Sequence, residues 1–316
     1  MKSYVRPNWV EHLRWRAMIV AAAVWGLCLG AIAGPATAES PNGEAEKELK
    51  PGEKWIRILR DDQGNPTAMQ TAVVRYAPPD GQEGATVDLV GAVHVGDRAY
   101  YEKLNKLFEE YDALLYELVA PEGTRIPKGG GEGSGHPVAA LQTGMKDMLE
   151  LDHQLQVIDY TKDNFVHADM SPEQFTKAMQ DRGESFVELF FRMMGQGIAQ
   201  QSRQQAQGKS TDLALLSALF AEDRAMRLKK VMAEQFEDME QMIVGIDGPD
   251  GTTLITGRNQ AALKVLRKSI DDGKKRLGIF YGAGHLSDMD KRLREEFDLR
   301  PVEVRWLTAW DMSSDE

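Results

Sequence analysis

Two stretches of the chain carry apolar and polar patterns that alternate between strands and helices, and a helical stretch lies between them. Residues 55–59 and 68–76 have the composition of short strands. The preceding residues 39–54 are rich in Glu, Lys, Pro and Gly and indicate a flexible, solvated lead-in. We therefore expect a single folded domain over residues 55–316.

Residues 85–118 predict a strand, a helix and a second strand. The apolar residues of the first strand are Val87, Leu89, Val90 and Val93. The helix has apolar residues at spacings of three and four, the stripe that a crossover helix buries against its sheet: Tyr101, Leu104, Leu107, Phe108 and Tyr111. Together with a strand at residues 112–118, the pattern predicts a βαβ unit with parallel strands.

The last segment of the chain repeats this order of elements. Residues 275–281 predict a strand, residues 282–285 a turn, and residues 287–297 a helix capped by Ser287. A last strand is expected at residues 301–308, and a helix at about residues 258–270 precedes the whole segment.

The middle of the chain predicts a strand at residues 156–160 followed by a large helical insertion over about residues 172–244. Ser171 is the expected cap of its first helix, with Pro172 at the first helical position and Gln174 completing a capping box. Two long helices are expected after it, at residues 186–205 and 212–243.

A glycine-rich loop is expected at residues 121–137. The glycines do not follow a strand or open a clear helix, as those of a phosphate-binding loop do. A flexible flap is the preferred interpretation, and such a flap could serve as a lid.

The first 38 residues have the features of a signal peptide. Basic residues precede an apolar run over residues 17–33, which ends in Ala36-Thr37-Ala38, so cleavage is expected before Glu39. An uncleaved anchor is the alternative, but glycines break the run and it is short for a membrane span. We expect a protein exported to the periplasm or the exterior, with no stable membrane span after cleavage.

Composition restricts the chemistry of the exported chain. The single cysteine, Cys28, lies in the leader, which excludes disulfides, thiolate nucleophiles and cysteine-bound zinc from the mature protein. The net charge is −11, and the mature chain is more acidic still because the leader is basic. Nucleic acid is therefore not an expected partner. The sequence does not define an oligomeric state.

Two Gly-x-x-His turns supply the candidate chemistry. His94 follows the first strand of the βαβ unit and Glu117 ends its second strand, so both are expected at the carboxyl edge of the sheet. If the strand before Gly282 joins the same sheet in the same direction, His285 reaches that edge too. Two imidazoles and one carboxylate form a plausible three-ligand site for a divalent ion.

The glycines of these turns have an expected role of their own. Gly91, Gly282 and Gly284 would permit unusual backbone angles and close approach of a bound group to the chain. Each following helix directs its amino end toward the turn, which favours an anionic ligand nearby.

A single Gly-x-x-His match is weak support, because a lone histidine after a strand is usually a hydrogen-bonded structural residue. Two copies in the same strand-turn-helix context favour a functional interpretation. His136, His153 and His167 lack that context and are expected to be structural or on the surface.

The motifs resemble those of the TraB/PrgY and GumN group, which includes the TIKI proteases. The resemblance rests on Val90-Gly91-Ala92-Val93-His94, on Tyr116-Glu117-Leu118, on Arg258-Asn259 and on Gly282-Ala283-Gly284-His285-Leu286. It implies an α/β (α+β) fold with a central mixed, partly parallel sheet, flanking helices and the large helical insertion. It also implies shared ancestry with erythromycin-esterase-like and ChaN-like proteins.

For the site, the resemblance implies that His94, Glu117 and His285 are the metal or catalytic residues. Arg258 and Asn259 would line the same site. The chain departs from the group at Gly257, where relatives often have an acid. His167-Ala168-Asp169 approximates an acidic motif of the group, which makes Asp169 a secondary candidate.

These observations lead to two alternative functions. The first is a divalent-metal-dependent, peptidase-like hydrolase that uses Mn²⁺ or Co²⁺, or alternatively Zn²⁺. His94 and His285 would hold the ion, with Glu117 as a further ligand or as the general base. A metal-bound water would attack an amide or ester of a peptide or small molecule, and Arg258 would steady the oxyanion. The second is a non-catalytic exported protein of the same fold that binds a peptide or small ligand.

Overall fold

A computed structural model describes residues 54–80, 82–121, 123–129, 149–185, 218, 221, 223–248 and 250–313, with the backbone alone for residues 235 and 237–246. The expected signal peptide, nearly all of the lead-in, most of the glycine-rich loop and the helix at residues 186–205 lie outside the described residues.

The described strands and helices follow the predicted order for most of the chain. The strands are β1 (Ile56–Arg60), β2 (Pro66–Ala77), β3 (Thr86–Ala92), β4 (Val95–Gly96), β5 (Ala113–Tyr116), β6 (Asp152–His153), β7 (Phe165–His167), β8 (Arg276–Gly282) and β9 (Arg300–Asp311). The helices are α1 (Arg98–Phe108), α2 (Gln154–Val157), α3 (Pro172–Asp181), α4 (Arg224–Asp247), α5 (Arg258–Asp271) and α6 (Ala283–Glu296), with a π-helix at Thr253–Gly257 before α5.

Seven strands form one mixed sheet, which confirms the predicted fold class. The order is β1-β2-β3-β8-β5-β7, and β9 pairs with β2. Strands β3, β8, β5 and β7 are parallel, whereas β1, β2 and β9 form the antiparallel part. Because β8 lies between β3 and β5, the last segment of the chain completes the sheet begun by the βαβ unit.

Helices pack on this sheet through the apolar faces that the sequence predicts. The five apolar residues of the predicted α1 stripe are all buried. Helix α6 contacts β3 and β8, α4 contacts β1 and β2, and α5 contacts β5. Among the described residues, no helix combines the length and the apolar character needed to cross a membrane.

The expected strand at residues 156–160 is wrong. The short helix α2 occupies the start of this segment, and the strands of this region are β6 and β7. Asn105 explains the difference, because its side chain donates to the Val157 carbonyl at 2.9 Å and accepts from the Asp159 N–H at 3.0 Å. The Asn105 amide thus forms the hydrogen bonds that a neighbouring strand would otherwise form with this backbone.

Of two helix starts predicted from the sequence, that of α3 is confirmed and that of α6 is wrong. At α3 the capping box forms as predicted, with Ser171 and Gln174 each bonding the other's backbone N–H. At α6 the prediction of Ser287 as the cap is wrong, because the helix begins at Ala283 directly after Gly282. His285 therefore lies in the first turn of α6 and not in a loop.

A buried ion network lies away from the carboxyl edge of the sheet. Asp88, which is 2% exposed, accepts two hydrogen bonds from Arg75, at 2.9 and 3.0 Å, and one from Arg305 at 3.2 Å. The Tyr111 hydroxyl donates to the same carboxylate at 2.9 Å. Gly278 on β8 makes room for the Tyr111 ring, since a Cβ there would lie 2.6 Å from it.

Candidate functional site

The register of the parallel strands places both Gly-x-x-His segments and Glu117 at one edge of the sheet. Ala92 at the end of β3 pairs with Gly282 at the end of β8. On the other side of β8, Tyr116 pairs with Phe280, and the Glu117 N–H donates to the Phe280 carbonyl at 3.2 Å. The three segments thus end at the same carboxyl edge, where open α/β sheets bind ligands.

Arg258, the first residue of α5, is the centre of a buried polar cluster. Its Nη2 donates to Glu117 Oε1 and to Asp169 Oδ2, both at 2.6 Å, and its Nε donates to Asp169 Oδ1 at 3.0 Å. The Arg258 side chain is 6% exposed and that of Asp169 is fully buried. One guanidinium faces two carboxylates, so this part of the cluster carries net negative charge.

The π-helix before α5 determines where Arg258 lies. Asp247 accepts hydrogen bonds from the N–H and hydroxyl of Thr252, at 2.6 and 2.8 Å, and from the Thr256 hydroxyl at 2.8 Å. Glu184 accepts from the Thr253 N–H with both oxygens at 3.0 Å. Such π-helical turns recur at functional sites, and this one is anchored on both sides by carboxylates.

Glu117 joins the cluster to the β8 turn. Its Oε2 accepts from the Gly282 N–H at 2.7 Å, and a Cβ at position 282 would lie 3.3 Å from the same oxygen. Burial raises the pKa of Glu117, but Arg258, His285 and His94 and the Gly282 N–H together outweigh burial. The pKa of the Glu117 carboxyl therefore lies well below its usual range, and the side chain is a carboxylate at neutral pH.

His285 faces Glu117 through Nε2. The Nε2 atom lies 3.6 Å from Glu117 Oε1 and 3.5 Å from Arg258 Nη1, while Nδ1 lies 2.7 Å from Asn259 Oδ1. Burial lowers the pKa of His285 below its ordinary value of 6.5, and Arg258 adds to this effect against the opposing influence of Glu117. The ring is therefore neutral at pH 7, with one ring nitrogen directed at the carboxylate.

Asn259 holds the other side of the His285 ring. It is fully buried, and its Nδ2 donates to the His285 carbonyl and to Asp288 Oδ2, both at 2.9 Å. Asp288 is absent from the sequence-based set of candidates. Its position three residues after His285, on the same face of α6, is the signal that could have identified it.

His94 is placed differently from the other candidates. It is exposed, and its carbonyl accepts from the Gln154 N–H at 3.0 Å. Its ring is close enough to contribute to the lowered pKa of Glu117. Within the described part of the chain, no group of three or more His, Asp, Glu or Cys side chains is arranged to hold a metal ion.

The glycines of the two turns have ordinary backbone angles, contrary to expectation. Gly91, Gly282 and Gly284 are not among the described glycines with positive φ. Close packing is the role seen for two of them, because a Cβ at Gly91 would lie 3.3 Å from the Ala72 carbonyl and one at Gly282 would approach Glu117. Gly284 lies in the first turn of α6.

The two other histidines among the described residues, His153 and His167, lie outside the cluster. His167 Nε2 lies 2.6 Å from the Leu118 carbonyl, a backbone contact of the kind expected for a structural histidine. His153 pairs with Val95 in the small β4–β6 sheet. His136 lies outside the described residues.

Two of the expected metal ligands, His285 and Glu117, have a spacing that one shared divalent ion would allow. Ligands about 2.1 Å from one ion lie roughly 3.0–3.4 Å apart, close to the observed 3.6 Å between His285 Nε2 and Glu117 Oε1. Buried negative charge also favours a cation. Glu117 Oε1 already accepts from Arg258, so an ion between the two ligands would share this oxygen with the guanidinium.

Comparisons with protein-family models, with curated proteins and with solved structures find no match. The resemblance to the TraB/PrgY and GumN group therefore stays a prediction from the motifs.

Proposed function

We propose that this chain is an exported hydrolase that uses a divalent metal ion to cleave an amide or ester bond in a peptide or small molecule. The observation that carries the proposal is the approach of His285 to Glu117 inside a buried cluster of net negative charge. A neutral imidazole and a carboxylate, supported by an arginine at a sheet edge, are the parts of a hydrolytic site.

The metal ligands in this proposal are His285 Nε2 and Glu117 Oε1. His94, the third donor expected from the motifs, is exposed and would have to move toward them, because the described residues hold no three-membered group arranged for a metal ion. Mn²⁺ or Co²⁺ is the expected ion and Zn²⁺ the alternative. When bound, the ion supplies a nucleophile at neutral pH by lowering the pKa of a coordinated water.

Glu117 is better suited to hold a cation than to take a proton. A general base works best with a pKa near the operating pH, whereas Arg258 and the Gly282 N–H keep the pKa of Glu117 far below that value. His285 Nε2 carries no proton in the neutral tautomer set by Asn259, so its one lone pair is available to hold the ion.

Arg258 is suited to stabilise a developing oxyanion. Asp169 fixes its guanidinium through two nitrogens, which leaves Nη1 at 3.5 Å from His285 Nε2. A prepositioned donor in a buried site stabilises negative charge without reorganisation. Asp169 thus acts on the reaction through Arg258.

Metal analysis tests the ligand assignment. The purified protein is loaded with Mn²⁺ or Co²⁺, dialysed and measured for metal content beside Glu117→Gln, His285→Gln and His94→Gln. His153→Gln, a histidine of the β4–β6 sheet, is the matched control. We expect near-stoichiometric metal in the wild type and the control and a large loss in the other three. Unchanged content in all variants rules out the site.

Incubation with a mixed peptide library, with and without a chelator, tests the reaction. Cleavage products that disappear with the chelator and in His285→Gln support the hydrolase. Peptides that are retained intact by the metal-loaded protein support the non-catalytic binding function instead. Amino-terminal sequencing of the secreted protein tests export, and Glu39 is the expected first residue.

A further inference from the structure

The two ends of the Asn259 side chain face chemically different partners. Nδ2 lies 2.9 Å from the His285 carbonyl and 2.9 Å from Asp288 Oδ2, and both of these atoms are acceptors. The amide nitrogen, with its two N–H donors, must therefore occupy this end. The amide oxygen consequently faces the His285 ring.

This orientation determines which nitrogen of His285 carries the proton. The Asn259 Oδ1 atom can only accept, and it lies 2.7 Å from His285 Nδ1. A neutral His285 must then carry its proton on Nδ1, which leaves the Nε2 lone pair directed at Glu117 and Arg258. In the opposite tautomer, Nε2–H would donate to Glu117 and could neither bind a cation nor accept a proton.

Asp288 is itself held in place along α6. Arg292 donates from Nε to Asp288 Oδ2 at 2.8 Å and from Nη1 to Glu296 Oε1 at 2.8 Å. The hydrogen bonds run from Arg292 through Asp288 and Asn259 to the His285 ring. Asp288 does not contact Glu117 or Arg258 in the described hydrogen bonds, so its influence on the site passes through Asn259.

We propose that Asp288 is a positioning residue that acts through Asn259 to fix His285 in its Nδ1–H tautomer, with Nε2 available to the reaction. Its use in hydrolysis rests on the proposed function, but the tautomer itself is a property of the metal-free protein. The arrangement follows the general rule that the hydrogen bond at one ring nitrogen selects the role of the other.

The matched control comes from the same helix. Asp290 forms an i, i+4 ion pair with Arg294 at 2.8 Å, as Asp288 does with Arg292. Asp290 accepts from the Tyr76 hydroxyl instead of contacting Asn259. Asp290→Ala therefore removes an equivalent ion pair and a partly buried hydrogen bond, and it leaves the hydrogen bonds that lead to His285 unchanged.

Nitrogen-15 NMR of the histidine-labelled, metal-free protein tests the inference, because protonated and unprotonated ring nitrogens have distinct shifts. The His285 signals are assigned by their loss in His285→Gln. We expect Nδ1–H alone in the wild type and in Asp290→Ala, and a mixture of tautomers in Asp288→Ala. Asp288→Asn, whose amide oxygen still accepts from Asn259, should give an intermediate spectrum and also serves if the alanine variant does not fold.

A wild-type spectrum with the proton on Nε2, or Asp288 variants identical to the wild type, overturns the inference. Because no metal or substrate is present, failure of the peptide-cleavage test leaves this result intact and defeats only the proposed function.

Discussion

Arg258 and Asp169 form a two-point ion pair inside the protein, with Nε 3.0 Å from Oδ1 and Nη2 2.6 Å from Oδ2. Both side chains are almost completely removed from water. Charges in this situation stabilise a fold only as a matched set, because a buried charge without its partner is costly. The cluster is consequently a structural element as well as a candidate site.

Replacing Arg258 should destabilise the protein strongly. Arg258→Met keeps most of the side-chain volume but leaves Asp169 and Glu117 without their shared cation, and we expect a loss of about 3–5 kcal/mol in the free energy of unfolding. Urea denaturation measures it. Lys264→Met, at an exposed position of the same helix α5, is the control and should change stability by less than about 0.5 kcal/mol. Equal effects of the two substitutions would contradict a buried charge cluster.

Replacing His94 should affect activity but not the stability of the fold. Because His94 is exposed, His94→Ala should alter the free energy of unfolding by less than about 0.5 kcal/mol. If it is the third metal donor, the same substitution should lower kcat/KM for peptide cleavage by at least about 100-fold. His153→Gln serves as the control. An active His94→Ala variant would limit the ligand set to Glu117 and His285.

The convergence of Glu117 and His285 could be predicted because strand direction determines it. Once the segment before Gly282 is recognised as a parallel strand, its carboxyl end must lie beside those of β3 and β5, and the register bears this out. The particular hydrogen bonds and ion pairs that Glu117 and His285 form could not be predicted in the same way. Strand ends define an edge of the sheet, whereas the contacts depend on side-chain directions within a few ångströms.

Asp169 and Asp288 illustrate what the sequence pattern leaves undetermined. Asp169 appeared as a secondary candidate, yet it is the residue that holds Arg258 in place. Asp288 lies on α6, which begins at Ala283, four residues before the predicted start at Ser287. The sequence-based prediction therefore left His285 in a turn and did not place the two residues on one helical face. The segment at residues 156–160 does not form the expected strand, because Asn105, which is distant in sequence, forms hydrogen bonds with its backbone.

Acid should remove a stabilising contribution of Asp112. Hydrogen bonds from the Arg276 and Lys275 N–H groups, at 2.9 and 2.8 Å, lower the pKa of Asp112 from 3.8. A lowered carboxyl pKa in the folded protein means that the contribution is present above pH 3.8 and is lost as the pH falls through the folded-state pKa. Asp112→Asn should therefore be less stable than the wild type at pH 7, and the difference should shrink in acid.

Denaturation of both proteins across the acid range measures this difference. Asp80→Asn, at an exposed position of the loop before β3, is the control and should keep wild-type stability at neutral pH within about 0.5 kcal/mol. A gap between Asp112→Asn and the wild type that stays constant from neutral pH into acid would show that the hydrogen bonds do not depend on the charge of Asp112.

Gly278 should not tolerate a side chain, because the Tyr111 ring occupies the space next to it. A Cβ at this position would lie 2.6 and 2.7 Å from two ring atoms of Tyr111 and 2.8 Å from Leu114. The Tyr111 ring is buried, and its hydroxyl donates a hydrogen bond to Asp88. The ring therefore cannot move without breaking this hydrogen bond. We expect Gly278→Ala to cost about 1–3 kcal/mol from overpacking.

Gly257→Ala is the matched control for this clash. Its backbone angles are helical, and a Cβ there would meet its neighbours at 3.5 Å or more, which is ordinary contact. The variant should therefore keep wild-type stability within about 0.5 kcal/mol. The clash is also testable by a double-mutant cycle, since Tyr111→Leu removes the ring. Gly278→Ala should then cost less in the Tyr111→Leu background than in the wild type, and an unchanged cost would show that Tyr111 is not what excludes the side chain.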